Sequence, residues 1–165
     1  MQWPVPTTLH FTGSIHGSSV QVLVNSGSMH NFIRSRIAYY LSLPVEATTS
    51  LNVLIGNGSS LRSEGIIRRI PLYLSTHLLT IDAILLPLFG ADLVLGVQWL
   101  SQLGPVLFDY GNMTLDFNQD GKAIRLHGDR ASSATQLFYQ NARHLVEAGV
   151  GVCTNHGCTR LEFTI

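Results

Sequence analysis

Val22-Leu23-Val24-Asn25-Ser26-Gly27-Ser28 is the stretch on which the reading of this chain turns. Consecutive aliphatic residues suit a buried strand, and Asn, Ser and Gly are the residues that close such a strand in a tight turn. The segment therefore places one polar side chain, Asn25, on a sharp loop at the end of a hydrophobic strand. Upstream, Leu9 to Ile15 and Val20 to Val24 flank His16-Gly17-Ser18-Ser19, which has hairpin chemistry. Downstream, Phe32, Ile33, Ile37, Tyr40 and Leu41 recur at near-helical spacing, so Asn31 to Leu43 predicts a short helix ending before Pro44.

Strand and turn signals continue to about residue 127. Leu51 to Ile55 predicts a strand, Gly56-Asn57-Gly58-Ser59 a glycine-rich tip, and Ser60 to Ile67 the return strand. Ile70 to Leu74 and Leu78 to Leu85 predict two more, with His77 near the turn. Val94-Leu95-Gly96 reads as an apolar strand broken at Gly96, followed by a helix over Val97 to Leu103 that Gly104-Pro105 closes. Val106 to Asp109, Met113 to Phe117 and Ala123 to Leu126 read as closing strands. The character changes after Gly128: Ser132 to Ala148 reads as helical, and Gly149 to Ile165 has no clear period.

The 165 residues are enough for one domain with a sizeable core. Hydrophobic residues make up 45% and charged residues 12%, an apolar balance that suits a surface partly covered by a partner. The formal net charge is zero, which excludes a basic nucleic-acid footprint and favours self-association. The N-terminus lacks the basic and apolar pattern of a secretory leader. The longest apolar stretch, Ile81 to Leu88, contains Asp82 and Pro87 and is too short to span a membrane. Cys153 and Cys158 set no disulfide framework, which fits a reducing, intracellular and cytoplasmic setting. Cys153-Thr154-Asn155-His156-Gly157-Cys158 also invites a metal reading, but zinc takes four ligands and no nearby fourth is evident, so no metal is expected.

Paired carboxylates held close together on sharp loops after buried strands are one arrangement that supports acid–base chemistry on a water. Two carboxylates at close range share one proton, so one acts as acid and the other as base toward a water. This chain has an Asn at the position such a loop would give to the acid, and it has one Asn-Ser-Gly loop; Asp109-Tyr110-Gly111 has the outline with the wrong middle residue. A site with two loops would need a symmetric dimer.

Four ordered segments carry a family resemblance. They are Val22 to Ile33, Ile55-Gly56-Asn57-Gly58, Asp92 to Leu100, and Leu103 to Tyr110. Over residues 9 to 127 the chain resembles the retropepsin-like aspartic protease domain of gypsy-type LTR retrotransposon polyproteins, especially the plant forms. The resemblance implies an all-β acid-protease fold: a closed barrel-like sheet, a flap hairpin and one or two short helices, here with a C-terminal helical extension. It implies an N-terminal arm at 1–8, the protease domain at 9–127 and an atypical extension at 128–165.

The resemblance also implies site roles. Asn25 occupies the position of the catalytic Asp, beside Ser26 and Gly27 of the same loop; Gly56, Asn57 and Gly58 form the substrate-binding flap; Leu95 and Gly96 are structural. Met29 departs from the small hydroxylated residue usual there. The implied substrate is an extended peptide or polyprotein and the implied partner a second copy, with no cofactor, nucleic acid or membrane. The leading expectation is an aspartic endopeptidase domain silenced by Asn25. Its alternatives are an active enzyme, through deamidation of Asn25 or another acid, and a peptide-binding or dimerisation module without catalysis. From the residues alone, Asn25-Ser26-Gly27 also reads as an ordinary strand-end turn, and Asp82 and Asp109 as turn or surface residues, while the resemblance implies a structural rather than catalytic Asp92.

Overall fold

The computed structural model describes residues 8–48, 52–54, 60–63, 65–88, 90–129, 151–154 and 157–160. Strands β1 (Thr8–Ile15) and β2 (Ser18–Asn25) form a hairpin in which Thr8 faces Asn25 and Ile15 faces Ser18. Its turn residues His16 and Gly17 both have positive φ, 50° and 80°. That is the mirror-image turn whose twist matches the flanking strands.

Six strands close a barrel in the order β1-β2-β8-β3-β7-β6. The added members are β3 (Phe32–Arg34), β6 (Gly65–Leu74), β7 (His77–Leu86) and β8 (Leu93–Leu95). β8 runs parallel to β2, with Val24 beside Leu95, and antiparallel to β3. Successive residues of these central strands enter two different apolar clusters. Val22, Val24, Ile33, Leu93 and Leu95 belong to one, and Leu23, Phe32, Val53, Ile84 and Val94 to the other. Burial of both faces is why β2, β3 and β8 are aliphatic runs without alternation.

That double burial also corrects the helix expected over Asn31 to Leu43. Phe32–Arg34 is strand, and helix α1 is confined to Ser35–Tyr40, after which Leu41 caps it and Ser42 takes a positive φ of 51°. Phe32 and Ile33 carry no period of their own, because each faces a core. A second correction concerns the expected break between Ile67 and Ile70. β6 runs through it with a bulge, where Ile67 pairs with Ala83 and Ile70 with Ile81. Arg68 and Arg69 thus oppose the single residue Asp82, and Arg69, at φ 53°, donates its backbone N–H to the Asp82 carboxylate at 2.8 Å. The expected return strand from Ser60 accordingly splits into β5 (Ser60–Arg62) and the start of β6.

Helix α2 (Val97–Leu100) continues into a 3₁₀ turn at Ser101–Leu103, and Gly104, at φ 73°, ends it. A three-stranded sheet then follows, ordered β11-β10-β9 from β9 (Val106–Asp109), β10 (Thr114–Gln119) and β11 (Lys122–His127). Its buried face carries Leu115, Phe117 and Leu126 into the main core, with Phe117 edge-on to Trp99 at 6.3 Å. Asp129 ties the end of this sheet to the barrel through its N–H on His10 O at 2.7 Å and its carboxylate, which accepts from Thr12 Oγ1 at 2.6 Å.

The last sheet has the order β13-β12-β4-β5, built from β4 (Asn52–Leu54), β5, β12 (Gly151–Thr154) and β13 (Gly157–Arg160). Part of the tail that showed no period is therefore a β-hairpin added to β4. The helix expected over Ser132 to Ala148 and the flap tip at Gly56, Asn57 and Gly58 lie outside the described residues. The architecture is mostly β, with a closed barrel and a few short helices. Among the described residues no helix is long and apolar enough to cross a membrane.

Candidate active-site loop

β2 delivers Asn25 to the end of the barrel with 1% of its surface exposed. Its side-chain Oδ1 accepts the Gly27 N–H at 2.8 Å, and its backbone O accepts the Ser28 N–H at 3.1 Å. The side chain thus closes its own turn, as Asn and Asp do when they mimic a backbone carbonyl. Ser26 is exposed at the bend and Gly27 half-buried. Ser28 is fully buried and donates Oγ–H to His30 O at 2.8 Å. Met29 is 54% exposed beside it.

The loop is held from behind by Gly96. Leu95 pairs with Val24, so the residue that follows it lies against the turn. A Cβ at Gly96 would stand 2.3 Å from Ser28 O and 2.7 Å from His30 O, closer than any side chain permits. The first turn of α2 completes the clamp: the Val97 N–H reaches Ser28 O at 2.7 Å and the Gln98 N–H reaches Met29 O at 3.0 Å.

Asn31 and Gln98, which have no site role in the sequence motifs, complete this support. Asn31, 2% exposed, accepts the Gly96 N–H at Oδ1 (2.9 Å) and donates Nδ2 to Asp82 O (3.0 Å). Its backbone N–H goes to Gln98 Oε1 at 3.1 Å, and its backbone O accepts Ile84 N–H at 2.9 Å. One amide therefore joins β3, β7 and β8 behind the loop. A signal was present: a polar residue immediately before the buried pair Phe32-Ile33 must find partners, because unpaired buried amides are costly.

Apart from Asp120, the acidic residues described are engaged by partners elsewhere. Asp92 accepts Gln21 N–H at 2.8 Å and lies 3.7 Å from Arg34 Nη1. Gln21 is four residues before Asn25 on β2, which puts Asp92 about 13 Å from the loop at ~3.3 Å per residue. Asp82 lies 3.5 Å from Arg68, which also takes Glu46 at 3.0 Å. Asp116 pairs with Arg125 at 2.7 Å, and that hydrogen bond holds its carboxyl below the usual range. Asp109 binds Asn112, and hydrogen bonds to the Asn112 side chain and backbone lower its carboxyl likewise. Asp129 takes Thr12, and Asp120 sits at the β10–β11 turn with φ 52°. Asp92, Asp82 and Asp109 thus have structural partners, and no hydrogen bond links a carboxylate to Asn25, Ser26 or Gly27 among the described residues.

The loop is consequently neutral. Asn25 can donate and accept hydrogen bonds but can neither carry charge nor take up a proton near neutrality. No group of three or more His, Cys, Asp or Glu able to hold a metal occurs among the described residues. The titratable group nearest in sequence is His30, edge-on to Phe32 at 6.4 Å, whose pKa burial lowers. With a folded value below the unfolded one, the unfolded chain takes the proton first. The contribution of His30 to stability is therefore complete above about pH 6.5 and falls as pH drops through that value. In an NMR titration the His30 ring resonances are expected to move with a midpoint below about 6.5; a midpoint at or above it would contradict the half-buried, neutral ring.

Comparison with known proteins agrees with this geometry. A family profile described as retroviral aspartyl protease matches residues 5–116, more than half of the chain. The crystal structure of the retroviral protease-like domain of Ddi1 from Leishmania major superposes with a TM-score of 0.61 at 18% identity, covering 76% of this chain and 96% of that one. At that identity the likeness speaks for the fold alone. No curated protein matches the chain. The barrel, the buried turn at the end of β2 and the matched segment together establish that the chain belongs to the retroviral aspartyl protease family.

Proposed function

We propose that Asn25 stands where this family carries its catalytic aspartate, and that the chain is a retropepsin-like domain of gypsy-type, plant-like retrotransposon origin that no longer hydrolyses peptides. The observation that carries this reading is the hydrogen bond from Gly27 N–H to Asn25 Oδ1 at the buried end of β2. A carboxylate there would be held by the same N–H. With one loop per chain, two copies would meet on a two-fold axis and bring two residues 25 together. An aspartate pair would share a proton and activate water; an asparagine pair has no proton to share and no base.

The remaining roles keep the ancestral design. Ser26 would tie the two loops together, and Gly27 would let their backbones approach. Gly56, Asn57 and Gly58 would form the flap tip over an extended polyprotein segment, and Leu95 and Gly96 would brace the loop. The reading needs no cofactor and is consistent with a cytoplasmic, homodimeric protein. Rescue by another acid is disfavoured because the described carboxylates have structural partners or, for Asp120, sit at the β10–β11 turn of a different sheet. Rescue by deamidation is disfavoured because Asn25 is 1% exposed.

The test is sedimentation of the chain followed by incubation with an extended peptide library read by mass spectrometry. The expected result is a species of twice the 18.1 kDa chain mass that leaves every peptide intact. Cleavage products from protein whose residue 25 is verified as Asn would overturn the inactive reading, and a strictly monomeric chain the dimeric one.

A further inference from the structure

β12 and β13 pair antiparallel with Cys153 directly opposite Cys158, and Thr154 opposite Gly157. Two residues, Asn155 and His156, connect the strands. A two-residue hairpin closes on a hydrogen-bonded pair, so the alternation of an antiparallel ladder makes the next pair, Cys153 and Cys158, non-hydrogen-bonded. Opposed residues at such positions share one face of the sheet, with Cα atoms about 4.5 Å apart. Disulfides span Cα separations of about 4.4–6.8 Å. A register slip of one residue would put the two cysteines on opposite faces. A metal is the weaker reading of the same segment: even with His156 it offers three ligands where a structural zinc site uses four.

The other edge of β12 lies on β4, with Gly151 beside Leu54, Val152 beside Val53 and Cys153 beside Asn52. β4 in turn pairs with β5. A two-stranded hairpin alone is marginal in water. This one gains a third strand on one side and holds two thiols at a position that a crosslink would fasten.

We propose that Cys153 and Cys158 are a reversible redox site, whose intramolecular disulfide crosslinks β12 to β13 and so stiffens the hairpin that pairs with β4. The oxidant is a small-molecule disulfide such as oxidised glutathione. One cysteine thiolate attacks a sulfur of the reagent and expels one thiol, forming a mixed disulfide. The second cysteine thiolate attacks the protein sulfur of that bond and expels the other thiol. Two protein thiols are oxidised to one S–S bond, two protons are released, and the reagent is reduced by two electrons to two thiolates that take up those protons.

The experiment equilibrates the full chain in glutathione redox buffers, with and without urea, then alkylates free thiols and weighs the intact protein and its Cys-containing peptide. The folded chain is expected to form the intramolecular Cys153–Cys158 bond at a thiol–disulfide equilibrium constant about tenfold or more above that of the urea-denatured chain, a shift of about 30 mV. Hydrogen exchange at Asn52–Leu54 is expected to slow about tenfold on oxidation, and not at all in the Cys153→Ser, Cys158→Ser double variant. Equal constants in folded and denatured chains would overturn the site, as would thiols that remain alkylatable or link two chains. Unchanged exchange at β4 on oxidation would overturn the stiffening of the hairpin against its neighbouring strand.

Discussion

Gly96→Ala is expected to lower the melting temperature by about 10 °C, because the added methyl has nowhere to go. It would meet Ser28 O at 2.3 Å and His30 O at 2.7 Å, and both obstacles are backbone rather than the far ends of flexible side chains. Relief requires the loop to move away from β8. That movement stretches the Val97 N–H to Ser28 O bond and the Gly96 N–H to Asn31 Oδ1 bond together. Overpacking a tight interior costs about 1–3 kcal/mol, and two rigid obstacles put this site at or above the top of that range. For a chain of this size ~3 kcal/mol corresponds to about 6–12 °C. Thermal melts followed by near-ultraviolet circular dichroism read the effect. A shift under about 2 °C would mean that the loop and β8 are not in this contact.

Asn25→Asp is expected to raise peptide hydrolysis by about 10⁴-fold or more at mildly acidic pH, on the reading proposed for the loop. That factor corresponds to about 5 kcal/mol of transition-state stabilisation. The side chains are nearly isosteric, and Oδ1 can keep the Gly27 N–H. What changes is proton chemistry, and in a two-fold dimer it changes twice. Two carboxylates on the axis cannot both ionise at close range, so one retains a proton and the pair titrates in two macroscopic steps. Activity is therefore expected to fall on both sides of a bell: at low pH when the pair is doubly protonated, and at higher pH when it loses the shared proton. The pH profile of kcat/KM reads this directly, and a pH-independent rate would point to a different catalytic group.

Much of the barrel was legible because its local signals agree with its tertiary demands. His16-Gly17 requires the turn it makes, and Leu95-Gly96 ends a strand where the backbone must approach another. The turn at Asn25–Ser28 was legible for the same reason, since its hydrogen bonds run mostly between neighbours in sequence. Where two faces of a strand are buried, as at Phe32-Ile33, the period vanishes and a strand resembles the start of a helix. The bulge at Arg68-Arg69 was hidden because its stabilising partners, Asp82 and Glu46, are remote in sequence. Asn31 was read as part of a motif rather than as the amide that joins three strands, since its partners Asp82, Gly96 and Gln98 lie at least 51 positions away. The β12–β13 hairpin depends on pairing with β4, roughly a hundred residues earlier, so no local pattern announced it.

The most direct test of the account is a paired peptide-cleavage assay of the chain as written and of Asn25→Asp, from acidic to neutral pH, with residue 25 verified by mass spectrometry in both. The account predicts cleavage by the Asp variant alone, blocked by a transition-state analogue. Equal cleavage by the unmodified chain would contradict it and require another acid at the site.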